Sequence, residues 1–224
     1  MRNERLDFVL MMQNDSNRPS RGAAWKRFRS APYKATWLLC VTLLPGCSQF
    51  TAAPPEMTYS KAVSRELYQM EPWSLEGRVA LTGGQDSWTA DLAWVHQRDD
   101  ERIKLSGPLG QGAVMIHLAG NVVTVAQGDG KIQSSNDPEG FIDQQLGVFV
   151  PVTSLRYWVL GLPEPNRDVE EAGNGFRQSG WTVAFQAMQT VGQWLLPRKM
   201  SVTNDRVKLK LIIDQWNLNG GNAK

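Results

Sequence analysis

The segment that decides the fold class runs from residue 88 to residue 95 and reads Trp88-Thr89-Ala90-Asp91-Leu92-Ala93-Trp94-Val95. Its even-numbered positions are apolar and include both tryptophans, while a threonine and an aspartate stand between them. Side chains of a β-strand point alternately to the two faces of a sheet. The segment therefore predicts a strand that presents both tryptophans on one apolar face.

Short segments of the same character surround this strand. Further strands are predicted at residues 75–81, 102–106, 113–118, 122–127, 131–135, 181–187, 198–203 and 207–216. The links Gly120-Asn121, Asp129-Gly130 and Asn204-Asp205 have the composition of tight turns. Because parallel strands need longer crossover connections, these short links favour an antiparallel sheet.

Helical spacing is found in three other places. An amphipathic helix is predicted over residues 59–70, a second helix from the N-cap sequence Asp137-Pro138 to Gly147, and a third after Pro151. The apolar positions of the last two helices are Phe141, Ile142, Leu146, Leu155, Trp158, Val159 and Leu162. We expect one mainly β domain, a strongly curved sheet or partly open barrel with helices over one opening.

The N-terminal region has the organisation of an export signal. A basic stretch precedes an apolar run of about ten residues, 35–44, which is too short to span a bilayer as a helix. The run ends in Leu44-Pro45-Gly46-Cys47, which resembles the bacterial lipobox. The resemblance implies that Cys47 receives a diacylglycerol and an acyl chain, and Ser48 after it favours the outer membrane. The alternative is a cysteine that follows a signal peptide cleaved elsewhere.

These features divide the chain into four parts. Residues 1–46 are a leader with a lipoprotein signal peptide, whose first 10 to 20 residues are polar and fit a mis-called start. Residues 47–58 are the lipid anchor and a proline-containing tether, residues 59–218 are the folded domain, and residues 219–224 are a tail.

Charge is unevenly distributed along the chain. Eight of the 24 Lys and Arg residues precede Cys47, against three of the 22 acidic residues, so the remainder carries a net charge of −3. No basic stripe with interleaved aromatic residues occurs in the domain, which argues against nucleic-acid binding.

The residues that enzymes require are not arranged in any recognisable pattern. His96 and His117 both lie in strand patterns without metal-ligand spacing, so we expect neither a metal nor a cofactor other than the lipid on Cys47. The pairs Asp99-Asp100 and Glu170-Glu171 are expected in solvated loops. Because phosphate-loop, nucleophile-elbow and metalloprotease motifs are missing as well, we expect no enzyme activity.

Three stretches together resemble the LolB family. They are residues 73–80 (Trp73 to Ala80), residues 107–112 (Gly107-Pro108-Leu109-Gly110-Gln111-Gly112) and residues 151–163 (Pro151 to Pro163). The resemblance covers roughly residues 70–217 together with the anchor. It implies an open antiparallel β-barrel with a helical lid over an apolar cavity, the fold shared by LolA and LolB.

The resemblance also implies a function and its residues. A LolB-type protein takes triacylated lipoproteins from a LolA-type periplasmic carrier, shelters their acyl chains, and inserts them into the inner leaflet of the outer membrane. Pro108, Leu109 and Gly110 would form the membrane-insertion loop, with Leu109 as its exposed apolar tip. The residues expected to line the acyl cavity are Trp88, Leu92, Trp94, Leu155, Trp158 and Trp181, although an ordinary core would use the same residue types.

The expected partners are therefore the carrier, its lipoprotein cargo and outer-membrane phospholipid, and we expect a monomer attached to the periplasmic face of the outer membrane. Two other functions remain open at this point. A structural or assembly lipoprotein of an outer-membrane complex would share the anchor and the β domain but would need no acyl-sized cavity. A lipoprotein hydrolase would need a catalytic arrangement that the sequence does not display.

Overall fold

The structure, a computed structural model, describes residues 65–83, 86–107, 112–146 and 149–218. Within these ranges eleven strands form one sheet. They are β1 (Trp73–Gly83), β2 (Asp86–Gln97), β3 (Asp100–Ser106), β4 (Val114–Ala119), β5 (Val122–Gln127), β6 (Ile132–Ser135), β7 (Val169–Ala172), β8 (Gly175–Gln178), β9 (Trp181–Val191), β10 (Trp194–Thr203) and β11 (Val207–Asn217).

The strand order follows from the short links. Neighbouring strands are antiparallel, in the order β6-β5-β4-β3-β2-β1-β11-β10-β9-β8-β7, so the first and last strands of the chain pair at the centre of the sheet. The order has two ends, β6 and β7, and among the described residues these edges do not pair with each other. The expected open, mainly antiparallel β architecture is confirmed.

Strand β2 has the alternation predicted for it. Trp88, Ala90, Leu92 and Trp94 are buried, whereas Thr89 and Asp91 between them are exposed. Opposite Trp88 and Trp94 on β1 lie buried leucines, Leu81 and Leu75. The period of two therefore separates an apolar inner face of the sheet from a polar outer face.

A glycine in β1 permits the central strand pairing. The register between β1 and β11 shifts between Glu76 and Gly77, and a Cβ atom on Gly77 would overlap the carbonyl oxygen of Ile212. Only glycine lacks the atom that would collide, so the Gly in the first of the three family-like stretches has a packing reason.

Two α-helices, α1 (Pro138–Leu146) and α2 (Val152–Trp158), lie in the connection between β6 and β7. Because β6 and β7 are opposite edges of the sheet, this connection crosses the sheet's inner face. Asp137 caps α1 as expected, since its Oδ1 accepts a hydrogen bond of 3.1 Å from the backbone N–H of Gly140.

The structure differs from the sequence analysis at four points. In the predicted helix 59–70 only a 3-10 helix, Arg65–Gln69, is found, and residues 59–64 lie outside the described part. Strands β7 and β8 were not predicted, because each has four residues without apolar alternation. The expectation of a loop at Glu170-Glu171 is therefore wrong, since both lie in the edge strand β7. The loop expected at Asp99-Asp100 is likewise wrong for Asp100, which is the first residue of β3.

The described residues contain no helix long and apolar enough to cross a membrane. The leader, Cys47 and the tether lie outside the described residues, as does the segment 108–111. The predictions for these parts are therefore not addressed by the structure.

Candidate functional site

A small apolar cavity lies between the inner face of the sheet and the two helices. Its volume is about 70 Å³, and every side chain around it is apolar. Ten lining residues come from the strands and four from the helices and their link. They are Val79, Leu81, Trp88, Leu92, Trp94, Ile103, Leu105, Ile116, Leu209 and Leu211 from the sheet, and Ile142, Val150, Val152 and Leu155 above it.

Four of the six residues predicted to line an acyl cavity border this space: Trp88, Leu92, Trp94 and Leu155. The other two, Trp158 and Trp181, do not border it. They pack instead at the C-terminal end of α2. Residue type alone does not separate a core position from a cavity position, because both environments select the same apolar side chains.

Trp158 and Trp181 belong to an aromatic cluster, which we define as Trp158, Phe176, Trp181 and Phe185. Ring centroids within the cluster lie 6.1–6.5 Å apart, the spacing of packed aromatic pairs. Trp158 and Phe176 are fully buried. The C-terminal end of α2 is therefore held in a filled part of the interior.

Gln178 of β8 fixes the same end of α2 by hydrogen bonds. Its Oε1 accepts from the Trp158 indole at 2.9 Å and from the backbone N–H of Glu164 at 2.7 Å, and its Nε2 donates to the Glu164 carbonyl at 3.0 Å. Gln178 is buried, so these bonds satisfy a side chain that has no access to water.

A carboxylate is buried beside the cavity. Glu101 of β3 is 1% exposed, and its Oε2 accepts a hydrogen bond of 2.6 Å from the indole N–H of Trp94, a cavity-lining residue. Its Oε1 lies 2.7 Å from His96 Nδ1. Because a carboxylate only accepts, the histidine carries a proton on Nδ1 and donates a hydrogen bond to Glu101. Strand β2 thus supplies both donors to this buried carboxylate of β3.

The third neighbour of Glu101 comes from the helices. Arg156 of α2 places its Nε 3.2 Å from Glu101 Oε1, a charge–charge contact in which this Nε is not aligned for a hydrogen bond. This ion pair joins α2 to β3, whereas Gln178 joins α2 to β8, near the opposite edge of the sheet. The helix is therefore tied to both sides of the inner face.

The sequence reasoning did not single out Glu101 or Arg156. A signal was present, because Glu101 shares its strand face with the buried residues Ile103 and Leu105, and a carboxylate in an inward-facing register needs partners. Arg156 lies within the third family-like stretch, and the residue before it on the same helix, Leu155, borders the cavity.

The two histidines both have carboxylate neighbours. Besides the buried His96, the exposed His117 places Nε2 2.6 Å from Asp100 Oδ2, across the β3–β4 pair. Within the described ranges no group of three or more His, Cys, Asp or Glu residues is arranged to hold a metal ion. Both histidines therefore have structural contacts that account for them.

One end of the sheet brings together the ends of several strands. Strand β3 ends at Ser106 and β4 begins at Val114, and the Pro108–Gly110 segment lies between them in sequence. In the same cross-strand row of the outer face stand Met115, Ala126 and Ile132. Met115 and Ile132 are exposed, the latter by 69%. We call this end of the sheet the loop end.

Comparison with known proteins gives a consistent family. The profile of the family described as outer membrane lipoprotein LolB matches residues 71–216. A protein named outer-membrane lipoprotein LolB from Chromohalobacter salexigens is 32% identical over 81% of this chain and 88% of its own length. One of the same name from Nitrosococcus oceani is 30% identical over 81% of this chain and 95% of its own.

Solved structures share a partial likeness. A LolA superfamily protein from Nitrosomonas europaea superimposes with a TM-score of 0.42 at 5% identity, covering 68% of this chain and 88% of that one.

Proposed function

The chain belongs to the LolB family of outer membrane lipoproteins, and from this premise we propose that it receives lipoproteins from a LolA-type periplasmic carrier, shelters their acyl chains under α1 and α2, and inserts them into the inner leaflet of the outer membrane. The protein is accordingly a lipoprotein of the outer membrane. The observation that carries the proposal is the wholly apolar cavity between the sheet and the two helices.

The size of the cavity indicates a closed state. A space of about 70 Å³ corresponds to roughly two water molecules, whereas ligand pockets span about 300–1,000 Å³. Acyl chains therefore enter only when the helices move away from the sheet. Four of the lining residues are on these helices or their link, so such a movement enlarges the cavity without breaking strand pairs.

The energetics of cargo transfer explain why shelter is needed. Three acyl chains contain around forty methylenes, and at about 0.8 kcal/mol each their exposure to water costs roughly 30 kcal/mol. Release into the periplasm is therefore excluded as a pathway. A protein that passes this cargo on without covalent chemistry needs an apolar surface at each stage, and we assign that role to the cavity walls.

Insertion is assigned to the loop end of the sheet. We propose that Leu109, flanked by Pro108 and Gly110, contacts the bilayer, as the family resemblance implies. The exposed Met115 and Ile132 at the same end support this assignment, since solvent-exposed apolar side chains gain when they leave water.

Attachment of the protein is assigned to Cys47. The seventeen residues between Cys47 and Arg65 can reach about 60 Å when extended. Strand β1 begins eight residues after Arg65 and spans eleven residues, or about 36 Å. A lipid on Cys47 therefore permits the loop end, at the opposite end of β1, to face the membrane. We further propose that the protein acts as a monomer and performs no catalysis.

The decisive experiment follows labelled cargo through three compartments. A LolA-type carrier loaded with a radiolabelled triacylated lipoprotein is mixed with liposomes that contain the lipid-anchored protein, and label is measured on the carrier, on the protein and in the lipid. We expect label to pass through the protein into the bilayer. Label that stays on the carrier while the protein is folded would contradict the proposal and favour an assembly role.

Two variants locate the insertion step. Leu109→Glu is expected to accept cargo but to insert it about tenfold more slowly, because a carboxylate cannot enter the bilayer favourably. Val122→Glu is the matched control, since Val122 is also exposed but follows the β4–β5 turn at the other end of the sheet. Equal insertion by the two variants would remove Leu109 from the mechanism.

A further inference from the structure

The closed cavity must be opened, and the contacts of α2 differ in how readily they can be broken. At its C-terminal end, Trp158 packs in the aromatic cluster and bonds to Gln178. At its N-terminal end, Thr153 donates a hydrogen bond to Glu139 of α1 and Ser154 donates one to Glu164 beyond α2, so these bonds do not lead to a strand. Val152 and Leu155 border the cavity at this end. The helix is therefore attached to the sheet more firmly at its C-terminal end than at its N-terminal end.

Between these two ends stands the ion pair of Arg156 with Glu101. We propose that this pair is a latch, and that Arg156 and Glu101 are positioning residues which set how often α2 leaves the sheet to admit acyl chains. The inference rests on the proposed function and names the contact that regulates its site.

The surroundings of the pair suit repeated breaking. When α2 moves away, Glu101 keeps its two remaining partners, the Trp94 indole and His96 Nδ1, so no buried carboxylate is left without a donor. Arg156 is 16% exposed in the closed state, so its guanidinium reaches water after a small displacement. Both charges thus remain satisfied in the open state.

The latch also connects to the cavity wall. Glu101 receives the hydrogen bond of Trp94, whose ring lines the cavity, and Arg156 follows Leu155, which lines it from above. The ion pair therefore joins one wall residue to one lid residue through two short links. By contrast, the pair of Arg167 with Glu164, at 3.6 Å, lies within the segment that follows α2, and the Arg167 side chain is 61% exposed.

The test compares Arg156→Met with Arg167→Met, both in the full-length lipid-anchored protein in phospholipid nanodiscs. Methionine keeps an unbranched apolar stem and removes the charge. Two quantities are measured: amide hydrogen exchange over residues 152–158, and the yield of crosslinking to a photoreactive palmitoylated peptide. We expect exchange about tenfold faster and several-fold more crosslinking in Arg156→Met, and wild-type values in Arg167→Met.

The direction of the crosslinking change separates a latch from a merely structural contact. Structural damage lowers acyl binding, whereas loss of a latch raises it, because apparent affinity increases with the fraction of open molecules. Unchanged exchange in Arg156→Met, or crosslinking below the wild-type yield, would overturn the proposal. Faster exchange with no crosslinking in any protein would support the latch and refute acyl binding by the cavity.

Two further variants keep the test decisive if Arg156→Met does not fold. Arg156→Lys retains the cation and is expected to restore wild-type exchange. Arg156→Gln retains an N–H donor without the charge and is expected to show a smaller increase than methionine in both measurements. An Arg156→Lys protein that exchanges as fast as Arg156→Gln would show that the charge is irrelevant, which the latch does not allow.

Discussion

The inner face of the sheet has two halves that use the same kinds of residue with opposite results. The cavity half consists of the inward side chains of β1–β4 and β11 under α1 and the start of α2, and it borders about 70 Å³ of unfilled space. The packed half consists of the inward side chains of β8–β10 under the end of α2, where the aromatic cluster fills the interior. Both halves are apolar and both contain tryptophans.

What distinguishes the halves is how the helices meet the sheet. In the packed half a buried glutamine and four rings fix α2 in place. In the cavity half the helices are held down by apolar surfaces, by the ion pair of Arg156 with Glu101, and by a hydrogen bond of 2.8 Å from Gln145 of α1 to Gln133 of β6. Closely packed side chains lose many contacts when a helix moves away, whereas side chains that border unfilled space lose fewer. The fold thus combines a rigid attachment with a surface from which the helices can separate.

The largest effect is expected from removal of the central ring of the packed half. Trp158→Ala leaves a cavity among Phe176, Trp181 and α2, and we expect a loss of about 3–5 kcal/mol in the free energy of unfolding. Gln178 keeps its bonds to the Glu164 backbone, so the loss reflects packing. Chemical denaturation measures it.

The control for Trp158→Ala is an exposed apolar residue. Leu195→Ala removes a half-exposed side chain and is expected to change stability by no more than about 0.5 kcal/mol. If Trp158→Ala were as mild as this control, the packed half would not be the rigid attachment of α2.

A second prediction applies one substitution to both halves. Val79 borders the cavity, whereas Val183 is fully buried and does not border it. Val79→Phe is expected to enter unfilled space and change stability by less than about 1 kcal/mol, while Val183→Phe overpacks the core and costs about 1–3 kcal/mol. Denaturation of the two variants tests this difference.

The same pair of variants also distinguishes the halves by function. Val79→Phe occupies the cavity and should lose most crosslinking to the photoreactive palmitoylated peptide although it folds normally. Val183→Phe, where it folds, should retain it. Crosslinking that is unaffected by Val79→Phe would mean that acyl chains bind elsewhere.

How far the sequence could predict these halves depends on the range of the interactions. The alternation in β2 predicted its inward face, and the turn at Gly120-Asn121 predicted the pairing of β4 with β5, because both are local signals. The four-residue strands β7 and β8 were missed, since they depend on hairpin pairing and on β9 rather than on their own apolar pattern.

The candidate site divides in the same way. Trp88, Leu92, Trp94 and Leu155 could be predicted to face inward, but cavity and core cannot be told apart by residue type. Their distinction depends on how closely helices from the β6–β7 connection approach the sheet. The Glu101–Arg156 pair likewise joins residues 55 positions apart in the chain, and no local pattern relates them.

The smallest effect is expected at the border of the packed half, where Tyr68 of the 3-10 helix donates a hydrogen bond of 3.0 Å to the carbonyl of Pro163, beyond the end of α2. Tyr68→Phe should cost roughly 0.5 kcal/mol of unfolding free energy, the lower range for a partly exposed hydrogen bond.

The effect of Tyr68→Phe also depends on pH, because burial, and then the nearby Tyr157, raise the pKa of Tyr68 above its ordinary value. The folded state therefore favours the neutral phenol, so this stabilisation is complete below about pH 10 and is lost as pH rises through the folded pKa. The free energies of unfolding of wild type and Tyr68→Phe should therefore converge above pH 10. Tyr157→Phe keeps the bond to Pro163, and its difference from wild type should not close in this way. A constant difference between wild type and Tyr68→Phe would show that the packed half does not hold the N-terminal segment through this phenol.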